Sequence, residues 1–151
     1  MEIKSELIYL VLALITGALI PVQAATNAAF SKTVGNPYIT GLMVFCIGLA
    51  GMILFLLISR TPLPGPLQLK AAPLYSYFGG IIVATYVVMI TILVPKIGVA
   101  TAIAFIVSGQ VLCAVAIDHF GLFNVAVRTI SMTRVAGMAL MIGGIYLVMK
   151  K

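Results

Sequence analysis

From residue 7 to residue 30 the chain reads LIYLVLALITGALIPVQAATNAAF, twenty-four residues without an acid or a base. A helix rises about 1.5 Å per residue, so a run of about twenty crosses the roughly 30 Å hydrocarbon core of a bilayer. A helix is also one of the few forms that satisfies its own backbone polar groups there. Four more runs of the same kind follow, at 38–59, 73–94, 97–117 and 133–149. Turn formers separate them: Gly35-Asn36-Pro37, then Pro62, Pro64, Gly65 and Pro66, then Pro95-Lys96, then Gly121 with Asn124. The pattern predicts an all-α integral membrane protein. It has five transmembrane helices in a single domain spanning 1–151, with the termini on opposite sides.

Composition agrees with that reading and removes its competitors. Hydrophobic residues make up 63% of the 151, charged residues 8%, and mean hydropathy is +1.25. A soluble domain of this length carries about 38 charges, whereas this chain has 9 Lys+Arg and 3 Asp+Glu. With one His, one Asp and two Glu, the acids, bases and metal ligands that catalysis needs are nearly absent. No nucleophile triad, metal cluster or phosphate loop is present, so neither an enzyme nor a cofactor is expected. Val22-Gln23-Ala24 loosely imitates a signal cleavage site, but the six residues before Leu7 hold one Lys and two Glu rather than a basic cluster. The first run is therefore read as a span. Cys46 and Cys113 fall within spans, where packing is the expected role.

Lys and Arg in short loops stay on the cytoplasmic side and so set orientation. Lys4, Arg60, Lys70, Arg128 and Arg134 fall at one surface, and Lys32, Lys96, Lys150 and Lys151 at the other. A five-to-four split barely chooses. Copies inserted both ways can pair about an axis in the membrane plane, which builds from two chains what larger transporters encode as inverted repeats. The net charge of +6, divided between two faces, suits anionic lipid headgroups and gives no reason to expect nucleic acid.

Uncharged polar residues inside the spans carry the functional information, because hydrocarbon offers them no partner. Thr16, Gln23 and Asn27 follow at spacings of seven and four beside Pro21, where a kink is expected. Tyr86 sits mid-way along the third span and Gln110 just past the middle of the fourth. Gln23, Asn27, Tyr86 and Gln110 are the candidate lining of a substrate path; the alternative is hydrogen bonding that only holds helices together. Asp118 and His119 close the fourth span. A carboxylate in a last turn faces the negative end of the helix dipole, so Arg128, Arg134 or His119 must compensate it. The pair is either an interfacial salt bridge or a proton-sensitive gating or coupling element. Tyr9, Tyr38, Tyr75, Tyr77 and Tyr146 have the positions of interfacial anchors.

Four stretches taken in order carry a family likeness: Gln23-Ala-Ala-Thr-Asn27-Ala; Ala72-Pro-Leu-Tyr75-Ser-Tyr-Phe-Gly79-Gly80; Pro95-Lys-Ile-Gly98-Val-Ala-Thr-Ala102; and Ser108-Gly-Gln110 with Asp118-His-Phe-Gly121. On these the sequence resembles the YdcZ-type proteins of the drug/metabolite transporter superfamily, over nearly its whole length. Residues 93–149 also resemble the last two helices of small multidrug resistance proteins. The resemblance implies a bacterial inner-membrane protein working as an antiparallel homodimer of ten helices, with Gly137, Gly143 and Gly144 as dimer packing. It departs from those relatives in one respect. Their first helix carries a membrane-embedded glutamate, where this one offers Gln23, and Trp is absent, so the usual receptor for lipophilic cations is missing.

The expected function is a small-solute transporter, an exporter, working by alternating access on a neutral polar, zwitterionic or amphiphilic substrate. A passive channel of dual topology and a non-transporting membrane subunit are the competing readings. In an antiparallel pair Gln23 of one chain comes level with Gln110 of the other, within about 2 Å of height by rise arithmetic. The charge split yields the first prediction: a cysteine introduced beside Lys151 is labelled in roughly half the molecules from each side of the membrane. Labelling from one side alone contradicts it. Three lysines added to one terminus should fix orientation and abolish activity, and co-expression of the oppositely biased version should restore it.

Overall fold

The computed structural model describes residues 2–150, with side chains from residue 6. Of the charges counted above, Lys151 and the side chains of Glu2 and Lys4 lie outside the described residues. The described chain is helical: α1 (Glu2–Val34), α2 (Pro37–Ser59), a short α3 (Pro66–Ala71), a 3-10 turn (Leu74–Phe78) leading into α4 (Gly79–Ile97), α5 (Val99–Phe120), a second 3-10 turn (Leu122–Asn124) and α6 (Met132–Met149). Five segments are long and apolar enough to cross a membrane: Glu6–Val34, Pro37–Ser59, Leu74–Ile97, Val99–Phe120 and Met132–Met149. The chain divides into two compact units, Met1–Lys96 and Ile97–Lys151.

In the first unit the turn between α1 and α2 is as short as a helical hairpin allows. Gly35, at φ +77°, ends α1 and donates its N–H to the Ser31 carbonyl at 2.8 Å. Asn36 then starts α2, its Oδ1 accepting the N–H groups of Tyr38 at 2.8 Å and Ile39 at 3.2 Å, with Pro37 at the first helical position. A carboxamide cap followed by proline satisfies the free donors of a new helix and presets its first φ. α1 and α2 pack on each other as neighbours. Gly41, near the start of α2, lies against α4, where an added Cβ would sit 3.1 Å from Val88 Cγ2.

The small α3 was not anticipated in the 60–72 connection. Its signal is present in the sequence. Gly65 precedes Pro66, and Gln68 reaches back so that its Oε1 accepts the Gly65 N–H at 2.9 Å. Tyr77 donates its hydroxyl to the Leu69 carbonyl at 2.6 Å, tying the 3-10 turn to this helix. Tyr77, expected as an interfacial anchor, is thereby also a strut within the connection.

α1 is helical on both sides of Pro21 and through it, where the ring removes the donor to the Gly17 carbonyl, four residues back. One proline reading changes. Pro95-Lys96 does not separate the third and fourth spans, since α4 continues through Pro95 to Ile97 and the break comes at Gly98, φ +81° and ψ 158°. Proline disturbs the turn before it but fits the turn after it, whereas that backbone region is open essentially to glycine alone.

The buried side chains of the first unit are few. They are Ala24, Asn27 and Ala28 on α1, Thr40 on α2, and Val87, Ile90, Thr91 and Val94 on α4. Their spacings of three and four mark one face of each helix. In the second unit Ala102 is the one fully buried side chain among the described residues. Long aliphatic side chains such as Leu14, Leu57 and Ile58 are 70% or more exposed, which suits acyl chains and not water.

Gly98→Ala should lower stability by about 1–3 kcal/mol through backbone strain alone, because space around an added Cβ is open. Gly80→Ala, in equally open space without a left-handed backbone, should cost nothing measurable. Reversible unfolding in mixed micelles measures both.

Candidate functional site

Several hydroxyl side chains in the spans satisfy themselves locally. Thr40 Oγ1 donates to the Asn36 carbonyl at 3.1 Å, Thr91 Oγ1 to Val87 at 2.7 Å, Thr16 Oγ1 to Leu12 at 2.8 Å and Ser108 Oγ to Ala104 at 2.7 Å. A short hydroxyl reaches the carbonyl four residues back, so these groups ask nothing of their surroundings. A carboxamide and a phenol differ, because their polar atoms stand too far from the helix that carries them.

Asn27 and Tyr86 are where this difference appears. Asn27 is 5% exposed, on the face of α1 that also buries Ala24 and Ala28. Tyr86 precedes Val87 on α4 and stands four residues before Ile90, beside the buried face. Asn27 Nδ2 and Tyr86 Oη are buried with no hydrogen-bond partner. Each such atom costs about 1–3 kcal/mol relative to a satisfied one.

Gln23 and Gln110 behave otherwise. Both are exposed on the protomer, Gln23 on α1 and Gln110 on α5. Thr16 is exposed too, so the expected polar face of α1 resolves into a buried Asn27 with Gln23 at its margin. Gly137, Gly143 and Gly144 on α6 have nothing within 4 Å of an added Cβ. Cys46 and Cys113, expected as packing residues, are free and exposed.

Two grooves escaped the sequence reading. One, of about 600 Å³, lies in the first unit where α1 and α4 end, lined by Ala28, Ala29, Ser31, Lys32, Gly35 and Pro95. The other, of about 610 Å³ and almost wholly apolar, runs between α5 and α6 past Phe105, Ser108, Gly109, Leu112, Ile142 and Tyr146. Their signal was the small residues at four-residue spacing or in pairs, Ala28-Ala29 and Ser108-Gly109. What small residues leave open depends on which helix faces them.

At the end of α5, Asp118 Oδ2 lies 3.6 Å from Arg134 Nη1, each side chain about one-third exposed (31% and 33%). Arg134 is therefore the compensating cation among the three considered. Arg128 contributes its backbone instead, its N–H donating to the Asp118 carbonyl at 2.8 Å. His119 Nδ1 accepts the Ile130 N–H at 3.3 Å, and its ring stands edge-on to Phe120 at 4.9 Å. No group of three His, Cys, Asp or Glu positioned to hold a metal occurs among the described residues.

Residues 8–147 match the family described as "Putative inner membrane exporter, YdcZ". The chain belongs to the YdcZ family. The match takes in Gln23, Asn27, Tyr86, Gln110, Asp118 and His119 and reaches all five spans. It makes the protein a multi-pass inner-membrane protein of an exporter family. No curated protein and no solved structure gives a match.

For this YdcZ-family chain, the unpartnered amide yields a stability prediction with an unusual sign. Asn27→Leu removes a buried donor and leaves a side chain of similar size, so stability should stay the same or rise by about 1 kcal/mol. Thr91→Val, which removes a satisfied hydroxyl, serves as the reference. Unfolding midpoints in the same micelles measure both, and a marked loss for Asn27→Leu would show that Nδ2 has a partner in the folded protein.

Proposed function

We propose that the protein exports a small solute by alternating access, as an antiparallel homodimer of ten helices. The buried, unpartnered Nδ2 of Asn27 and Oη of Tyr86 carry this reading. Atoms that cost free energy when unpaired are retained where something else pairs with them during the working cycle. The amide offers donors and the phenol both a donor and an acceptor. Their natural complement is a solute bearing hydrogen-bond acceptors, neutral, zwitterionic or amphiphilic.

Gln23 and Gln110 support the dimer. Two carboxamides exposed at bilayer depth find no partner in lipid, and a second copy can cover both. Inversion of that copy follows from the near-even charge split, and the open backbones at Gly137, Gly143 and Gly144 permit close approach of its helices. Exchange of sides then comes from two protomers trading conformations, so that each opening is the mirror of the other. Asp118 and His119, at the end of α5, are the gating or coupling pair. The partners are lipid, the solute and the second copy.

Reconstituted protein tested for saturable uptake against a panel of acceptor-bearing neutral, zwitterionic and amphiphilic solutes decides among the classes. Transport of a panel member should fall about tenfold in Tyr86→Phe and further in Asn27→Leu, and vanish in the Gln23→Leu, Gln110→Leu double variant. Full transport by the double variant would overturn the assigned site. Unsaturable flux or single-channel current would make the protein a channel, and no flux together with a co-purifying partner would make it a subunit.

A further inference from the structure

Between α5 and α6 the chain does not hang as a free loop. Residues 121–131 fold back along the end of α5 and are fastened at three points: the Arg128 N–H on the Asp118 carbonyl at 2.8 Å, the Ile130 N–H on His119 Nδ1 at 3.3 Å, and the Arg134 guanidinium on Asp118 at 3.6 Å. Arg134 Nη1 also reaches the Arg128 carbonyl at 3.5 Å. The strap begins at Gly121, φ +60°, where a Cβ would stand 2.7 Å from Val127 Cγ2, so its first turn is pressed against its own return. Phe123 and Asn124, at φ 58° and 62°, hold a left-handed backbone, which an asparagine adopts readily and a phenylalanine takes up only under constraint. The fastenings hold a strained segment.

We propose that this strap is a proton-operated latch, closed while His119 Nδ1 is a bare acceptor and released when that nitrogen is protonated. One fastening depends on an imidazole lone pair, and an imidazolium has none: both its nitrogens are donors, and the Ile130 N–H then meets another N–H. The charged residues around the imidazole are Asp118 on α5, Arg128 in the strap and Arg134 on α6. A proton on Nδ1 takes away the acceptor that holds Ile130, so acid favours the released strap. Once the Ile130 bond is gone, strain at Phe123 works in the same direction. The inference deepens the gating role proposed for Asp118 and His119, on which its consequence for transport rests. The latch itself is read without any transport measurement.

The test is amide hydrogen exchange of residues 122–131 in lipid nanodiscs at pH 8 and pH 5, corrected for intrinsic exchange. Residues 103–113 of α5 serve as the folding control. Wild-type protection in the strap should fall about fivefold or more on acidification, the loss expected for one hydrogen bond and its strain. His119→Gln, whose carboxamide oxygen accepts but does not titrate, should hold the strap equally at both pH values. Asp118→Asn should keep the wild-type response. Unchanged wild-type protection, or an equal fall in His119→Gln, overturns the latch; a response abolished by Asp118→Asn overturns it by placing the proton on the carboxylate. Should His119→Gln lose protection in 103–113, the wild-type Ile130 amide followed by 15N NMR decides alone. Its resonance must titrate together with the His119 ring, and a resonance that stays put over the range overturns the proposal.

Discussion

Hydrocarbon makes no hydrogen bonds, and every polar atom of this chain at membrane depth must be satisfied by protein or left to cost free energy. The backbone answers with helices. Several Thr and Ser hydroxyls answer by bonding back to their own turns, as Thr40 and Thr91 do even where fully buried. Where a helix ends, the free groups are closed within one or two residues: Gly35 on Ser31, Asn36 on Tyr38 and Ile39, Ser131 on Arg134. After that accounting, Asn27 Nδ2 and Tyr86 Oη stand out because nothing short-range can serve them.

The same solvent removes the usual driving force for a core. Lipid tails are as apolar as leucine, so helices associate through close packing of small residues and through shared polar groups. The buried set of the first unit has this character, with Ala24 and Ala28 on α1, Thr40 on α2, and one stripe of α4. A protomer that encloses so little is held by a few contacts of modest strength. It leaves broad apolar helix faces for lipid.

Charge is confined to the ends of the spans, and there it does structural work. Lys32 and Lys96 lie in the last turns of α1 and α4, at the negative ends of their dipoles. Asp118 occupies the unfavourable position for an acid and is compensated by Arg134 from the next helix. That arrangement converts a mismatch within α5 into a tie between α5 and α6, and it brings the one histidine of the chain to a backbone donor eleven residues ahead of it.

Much of the fold was legible in the sequence because membrane thickness and backbone satisfaction act on local composition. Five apolar runs, the Gly35-Asn36-Pro37 turn and the capping glycine at 121 are properties of adjacent residues, and the structure has a helix for each run. The boundary placed at Pro95 was misjudged. A proline acts on the turn before it, and whether a helix continues afterwards depends on a glycine such as Gly98, whose φ of +81° no rule of composition announces. The candidate site divided the same way. That Asn27, Tyr86, Gln23 and Gln110 were costly in lipid followed from residue type and depth; that the first two are buried without partners while the other two are exposed did not. Helical spacing gives the angle of a side chain on its own helix but not which neighbour covers that angle. The salt bridge shows the limit most plainly, since Arg128, Arg134 and His119 were equivalent compensators for Asp118 by distance along the chain. Only the return of residues 121–131 over the end of α5 selected Arg134, because a charge pairs through space and its partner is chosen by the path of the backbone between them.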